Sequence, residues 1–75
     1  MPKHYYIWIT AERVDNGEWK CVFSAEDEEG EDVQAEIFYT PCINNVGTLQ
    51  DKYLGTVVDL LTLNQIKRKI REISI

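Results

Sequence analysis

Six carboxylates occupy the seven positions from Glu26 to Asp32, Glu-Asp-Glu-Glu-Gly-Glu-Asp. Three kinds of chemistry could use such a cluster. A calcium loop needs oxygen ligands in an Asp-x-Asp-x-Asp-Gly run with a glutamate at position twelve, and that spacing is missing. Acid–base work needs two carboxyl groups in unlike surroundings, so that their proton affinities separate. Asp27 and Glu31 at a solvated hairpin tip have no such contrast. Electrostatic docking on a basic surface asks only that the charges be held outward. Glu26, Asp27, Glu28, Glu29, Glu31 and Asp32 are the candidates for that role, with Glu36 assisting. The plainer alternative is a solvated hairpin end that blocks edge-to-edge aggregation.

Other reactive side chains are sparse. His4 is the one histidine, close to the N-terminus, which leaves Ser-His-Asp and Cys-His arrangements without material. Cys21 and Cys42 show neither Cys-x-x-Cys spacing nor a neighbouring histidine, so they read as small hydrophobes rather than zinc ligands or a disulfide. The four glycines are isolated and form no phosphate-binding loop. The expectation is no catalytic residue, no metal, no cofactor and no enzymatic activity.

Charge is distributed unevenly. Seven of the thirteen acidic residues lie between Glu26 and Glu36, and four of the eight basic ones between Lys67 and Arg71. A net charge of −5 disfavours nucleic acid, whose phosphates supply most non-specific affinity to basic proteins. Seventy-five residues make one domain with a thin stability margin, although eight aromatics supply bulky core material. No apolar run approaches the roughly 20 residues needed to cross a bilayer. Met-Pro-Lys-His-Tyr-Tyr lacks a signal-peptide profile, so a cytoplasmic protein with no membrane partner is expected.

The elements that must hold these residues begin with strands. Apolar residues alternate through Tyr5, Ile7, Ile9 and Ala11, then Trp19, Cys21, Phe23 and Ala25, then Val33, Ala35, Ile37 and Tyr39. A two-residue Asn-Gly turn would pair Asp15 with Glu18 and put the first two sets on opposite faces. A three-residue loop over Asp15 and Asn16, ending on a left-handed Gly17, instead sets Ile9 opposite Phe23 and Glu12 opposite Lys20. The same logic at Glu28-Glu29-Gly30 sets Asp27 opposite Glu31, Glu26 opposite Asp32, Ala25 opposite Val33 and Trp19 opposite Tyr39. All odd-numbered apolar residues then share one face of a three-stranded antiparallel meander.

That face needs a lid. Pro41 ends the third strand, and Asn44, Asn45 and Gly47 read as loop. Thr48 can cap a short turn through Leu49 and Tyr53, stopped by Gly55. The run from Thr56 to Leu61 is a fourth strand or the start of a helix, and its period does not choose. Thr62-x-x-Gln65 has capping-box spacing, and Leu63, Ile66, Ile70 and Ile73 form one helical stripe. The expected class is α+β, a meander covered on one face by a C-terminal helix.

Three functional expectations follow. The first is a protein-interaction module whose acidic hairpin imitates a phosphate path and docks on a basic, nucleic-acid-binding surface of a partner protein. In composition alone it resembles the short acidic inhibitors carried by phages and other mobile elements. The second is a structural or regulatory homodimer or larger homo-oligomer using Tyr6, Trp8 and Phe38, which fall on the even, outward face together with Val22. The third is nucleic-acid binding by the helix bearing Lys67, Arg68, Lys69 and Arg71. A meander followed by a basic helix is similar to the second half of a double-stranded-RNA-binding domain, although that family's N-terminal helix is missing here.

Overall fold

Alternation of buried and exposed residues carries the first half of the chain into a sheet. The computed structural model describes residues 3–31 and 33–74. Strands β1 (His4–Arg13), β2 (Trp19–Asp27) and β3 (Val33–Thr40) precede helix α1 (Ile43–Tyr53), strand β4 (Val57–Asp59) and helix α2 (Leu60–Ile73). All pairings are antiparallel, in the order β3-β2-β1-β4. The chain is therefore α+β, with both helices on one face of a four-stranded sheet. A double-stranded-RNA-binding domain shares the meander and the last helix, but here α1 and β4 come between them.

The first hairpin follows its expected register. Ile9 lies opposite Phe23, Ala11 opposite Cys21 and Glu12 opposite Lys20. Gly17 takes the left-handed conformation at φ 83°, and Asn16 Oδ1 accepts the Glu18 N–H at 3.3 Å.

The second hairpin does not. Glu26 pairs with Val33, Ala25 with Gln34 and Trp19 with Thr40, a slip of one residue from the expected register. Because side chains alternate, the slip turns every residue of β3 over. Phe38 and Thr40 point to the helices and are buried, while Val33, Ala35, Ile37 and Tyr39 face away and are exposed. Phe38 thus belongs to the core and not to an outward aromatic patch. The cause is loop length. Gly30 is left-handed, as expected, and its N–H bonds the Asp27 carbonyl at 3.0 Å. However, the Asp27 carboxylate also accepts the Glu31 N–H at 2.9 Å, which draws one more residue into the turn before pairing resumes. At the far end of β3, Thr40 Oγ1 accepts the Cys42 N–H at 2.9 Å and starts the turn into α1.

The helical half also departs from expectation in detail. Asn44, Asn45 and Gly47 lie inside α1, which presents Val46 and Leu49 to the sheet. Tyr53 stands at its end, and Gln50 Nε2 donates to the Ile9 carbonyl at 3.0 Å. That bond covers part of the β1 edge which short β4 leaves unpaired. Residues Thr56 to Leu61 divide, Val57–Asp59 joining β1 as β4 and Leu60 opening α2. The cap of α2 is Asp59, whose carboxylate accepts the Thr62 N–H at 2.8 Å, so Thr62 receives the capping contact rather than supplying it. The stripe of Leu63, Ile66, Ile70 and Ile73 is buried as its spacing predicts, closing a core with Ile7, Ile9 and Phe23.

The register makes a direct comparison available. Phe38→Ala should cost about 3 kcal/mol, the range for emptying an aromatic core site. Ile37→Ala, 61% exposed, should stay within about 0.5 kcal/mol in dilute solution. Urea unfolding of both variants checks the slip, because the expected register gives the opposite ranking.

Candidate functional site

Asp27 organises the acidic turn. Its side chain is 4% exposed and accepts backbone N–H groups from Glu29 (3.2 Å) and Glu31 (2.9 Å). Lys3 Nζ stands 3.7 Å from its Oδ2. A carboxylate taking two backbone donors fixes the loop as a rigid turn. Asp27 is therefore a positioning residue inside the tip, and not one of the outward carboxylates it was expected to join.

The other acidic residues separate by face. Glu28, Glu29 and Glu31 are exposed on the loop, with His4 Nδ1 3.9 Å from Glu28 Oε1. Glu26 projects from the sheet face away from the helices, paired with Tyr6 and Val33. Glu36 is half-buried on the helix side, opposite Phe23 and well down the strand, so it does not join the tip. Asp32 lies outside the described residues. Among the described residues the compact acidic group is thus Glu28, Glu29 and Glu31.

The charge separation legible in the sequence becomes a separation in space. Strand β4 pairs with His4, Tyr5 and Tyr6, and Tyr5 and Tyr6 pair with Asp27 and Glu26. The start of α2, with exposed Asp59, therefore sits at the acidic end of the molecule. From there α2 runs towards the opposite end, where Arg71 and Ser74 share a shallow groove with Glu18 and Tyr39. The molecule measures 44 × 18 × 18 Å, so acid and base stand towards opposite ends of its long axis. Lys67 is half-buried, Arg68 and Arg71 are exposed, and Lys69 Nζ lies 3.7 Å from Glu72 Oε2.

A second surface was only partly visible in the sequence. Tyr6 and Trp8 stack on the helix-free face, ring centroids 6.3 Å apart and planes 19° apart. The slipped register adds Val33, Ile37 and Tyr39 to that face, and β4 adds Val57. The missed signal is in the acidic turn: an aspartate at its start can accept backbone donors two and four residues on, which favours a longer turn than two residues and a glycine.

Both cysteines are free; Cys42 is exposed, and Cys21 is buried, which pushes its thiol pKa up by desolvation. Among the described residues no group of three or more His, Cys, Asp or Glu side chains could hold a metal ion, and no helix is long and apolar enough to cross a membrane.

Two titratable groups generate tests. Asp27→Ala removes a charge-assisted acceptor serving two backbone donors and should cost about 2 kcal/mol in urea unfolding, with Asp27→Asn intermediate because an amide oxygen still accepts. Thr62, through its backbone N–H first and its side chain second, holds the Asp59 carboxyl below its ordinary pKa. Folding therefore favours the ionised form. That stabilisation is complete above the unfolded value of about 3.9 and is lost as pH falls through the lower folded value. The stability difference between wild type and Asp59→Asn should be flat near neutrality and shift against the wild type only in that acid window, as read from thermal melts across pH.

No protein-family model matches this chain, and no curated protein or solved structure matches it either, so its own surfaces carry the functional reading.

Proposed function

We propose that this chain is a non-enzymatic protein-binding module that docks its acidic hairpin tip on a basic surface of a partner protein. The observation that carries the reading is the locked turn. Asp27 gives up its own exposure to hold the loop, and three glutamates stand outward on a backbone that has little freedom left to lose on binding. A solvated hairpin end needs no buried carboxylate of this kind. Rigid outward carboxylates imitate successive phosphates, so the fitting partner surface is one that ordinarily holds nucleic acid. The chain would then act as an inhibitor by occupation. Placing Lys67 to Arg71 towards the far end turns the acidic end forward in the field of a basic partner and speeds encounter.

The test is capture from a lysate of the source cells by the intact chain and by Glu28→Lys/Glu29→Lys/Glu31→Lys in parallel. The wild type should retain a basic protein that salt releases and that duplex DNA or RNA displaces, because charged contacts weaken as screening increases. The triple variant, folded by circular dichroism, should lose at least about tenfold of that capture, the loss expected from removing a few kcal/mol of charge pairing. Equal capture by both chains overturns the reading.

A further inference from the structure

The helix-free face has a pattern that the tip does not explain. Read across β3, β2 and β1, its rows are Tyr39–Lys20–Glu12, Ile37–Val22–Thr10, Ala35–Ser24–Trp8 and Val33–Glu26–Tyr6. The two middle rows carry no charge. Each strand there sets a larger side chain beside a smaller one: Ile37 with Ala35, Val22 with Ser24, and Trp8 with Thr10. The charged residues Lys20 and Glu26 lie on β2 at equal distances from the midpoint.

We propose that this face binds a second copy of the chain, forming a two-fold symmetric, face-to-face dimer. The two-fold axis lies in the interface, crosses the strands and passes at the level of Ile9 and Phe23. Each strand then covers its own counterpart running the other way. Sheets packed face to face keep their strands within about 30° of parallel or antiparallel and interdigitate side chains over about 10 Å. In this arrangement Trp8 of one copy meets Thr10 of the other, Val22 meets Ser24, Ile37 meets Ala35, and Lys20 meets Glu26. A symmetric contact requires such self-complementarity.

Charge decides between this axis and the alternative that runs along the strands. Both match large side chains with small ones on the outer strands, but an axis along β2 also sets Val22 against Val22 and Ser24 against Ser24. The second sets Lys20 against Lys20 and Glu26 against Glu26, and like charges across an interface are unfavourable. Area supports a copy as occupant. Tyr6, Trp8, Val33, Ile37, Tyr39 and Val57 are each 44–61% exposed. With large side chains contributing about 150–250 Å² apiece, the open apolar surface is on the order of 500 Å² in one copy. Two copies together reach about 1,000 Å², the lower bound for a specific interface. A single nucleic-acid strand could stack on Tyr6 and Trp8, but Lys20 is the sole basic residue in the four rows against Glu12 and Glu26. The dimer does not depend on the acidic-tip reading.

Light scattering after size exclusion and sedimentation equilibrium, both on the full chain, test it. The wild type should be a dimer at high micromolar concentration. Ala35→Arg, which drives a long cation into the space Ile37 fills, should be monomeric with an unchanged far-ultraviolet circular dichroism spectrum; Ile37→Glu serves if that variant unfolds. Lys20→Glu and Glu26→Lys alone should each raise the dissociation constant about tenfold or more. The double exchange should return it to within about threefold of wild type, because both Lys20–Glu26 contacts between the copies are then restored with their signs reversed. A monomeric wild type, a dimer indifferent to both Ala35→Arg and Ile37→Glu, or an exchange without rescue overturns the proposal. So does Trp8 fluorescence quenched by single-stranded oligonucleotide in a monomeric wild type, which assigns the face to nucleic acid instead.

Discussion

The Asp27 carboxylate is the constraint on which the rest of this structure depends. By accepting N–H groups from Glu29 and Glu31 it draws one residue more than expected into the turn between β2 and β3. That loop fixes which face of β3 meets the helices. One side chain therefore decides that Phe38 and Thr40 are buried, that Ile37 and Tyr39 are not, and that three glutamates stand outward at the tip. Burying a carboxylate is costly unless it is well bonded, and here two backbone donors and the nearby Lys3 ammonium meet that requirement.

Exchanging β3's faces is not a simple loss of apolar burial. The expected register buries Val33, Ala35, Ile37 and Tyr39 and leaves Phe38 in water. The observed one buries Phe38 and places Gln34 and Glu36, half-exposed, on the helix side. The helices pack mainly on β1 and β4, so β3's inner face is covered fully at Phe38 and Thr40 but only in part at Gln34 and Glu36. Four odd-numbered apolar residues on an edge strand gain little there. Phe38, near Ile70 of α2, gains a great deal.

How much was legible in the sequence follows from the same contrast. The β1–β2 register could be read because one candidate turn put the two apolar sets on the same face and the other did not. The α2 stripe could be read because four residues recurred at helical spacing. Strand β3 could not, because it is apolar on both faces, so alternation does not choose between them and the turn decides. Helix α1 was hidden by Asn44, Asn45 and Gly47, which have poor helix propensity and are held by the packing of Val46 and Leu49. The boundary between β4 and α2 lay within a short apolar run and was marked only by Asp59, whose capping contact with Thr62 places it. At the tip, the composition announced a charged surface, but not that one of its carboxylates faces inward.

The strand order has a kinetic consequence. The β1–β2–β3 meander closes through short local turns, whereas His4 must find Asp59 across nearly the whole chain. Local pairings form early, and distant ones wait on the entropy of loop closure. With only those local pairings made, the chain is a three-stranded ribbon with apolar residues on both faces and with α1 and α2 undocked. The amphipathic helices face two competing landing grounds, and the short linkage from β3 through Thr40 and Cys42 into α1 biases them to the correct one. Misdocked chains would expose the native core face, which makes that linkage a safeguard against aggregation during refolding.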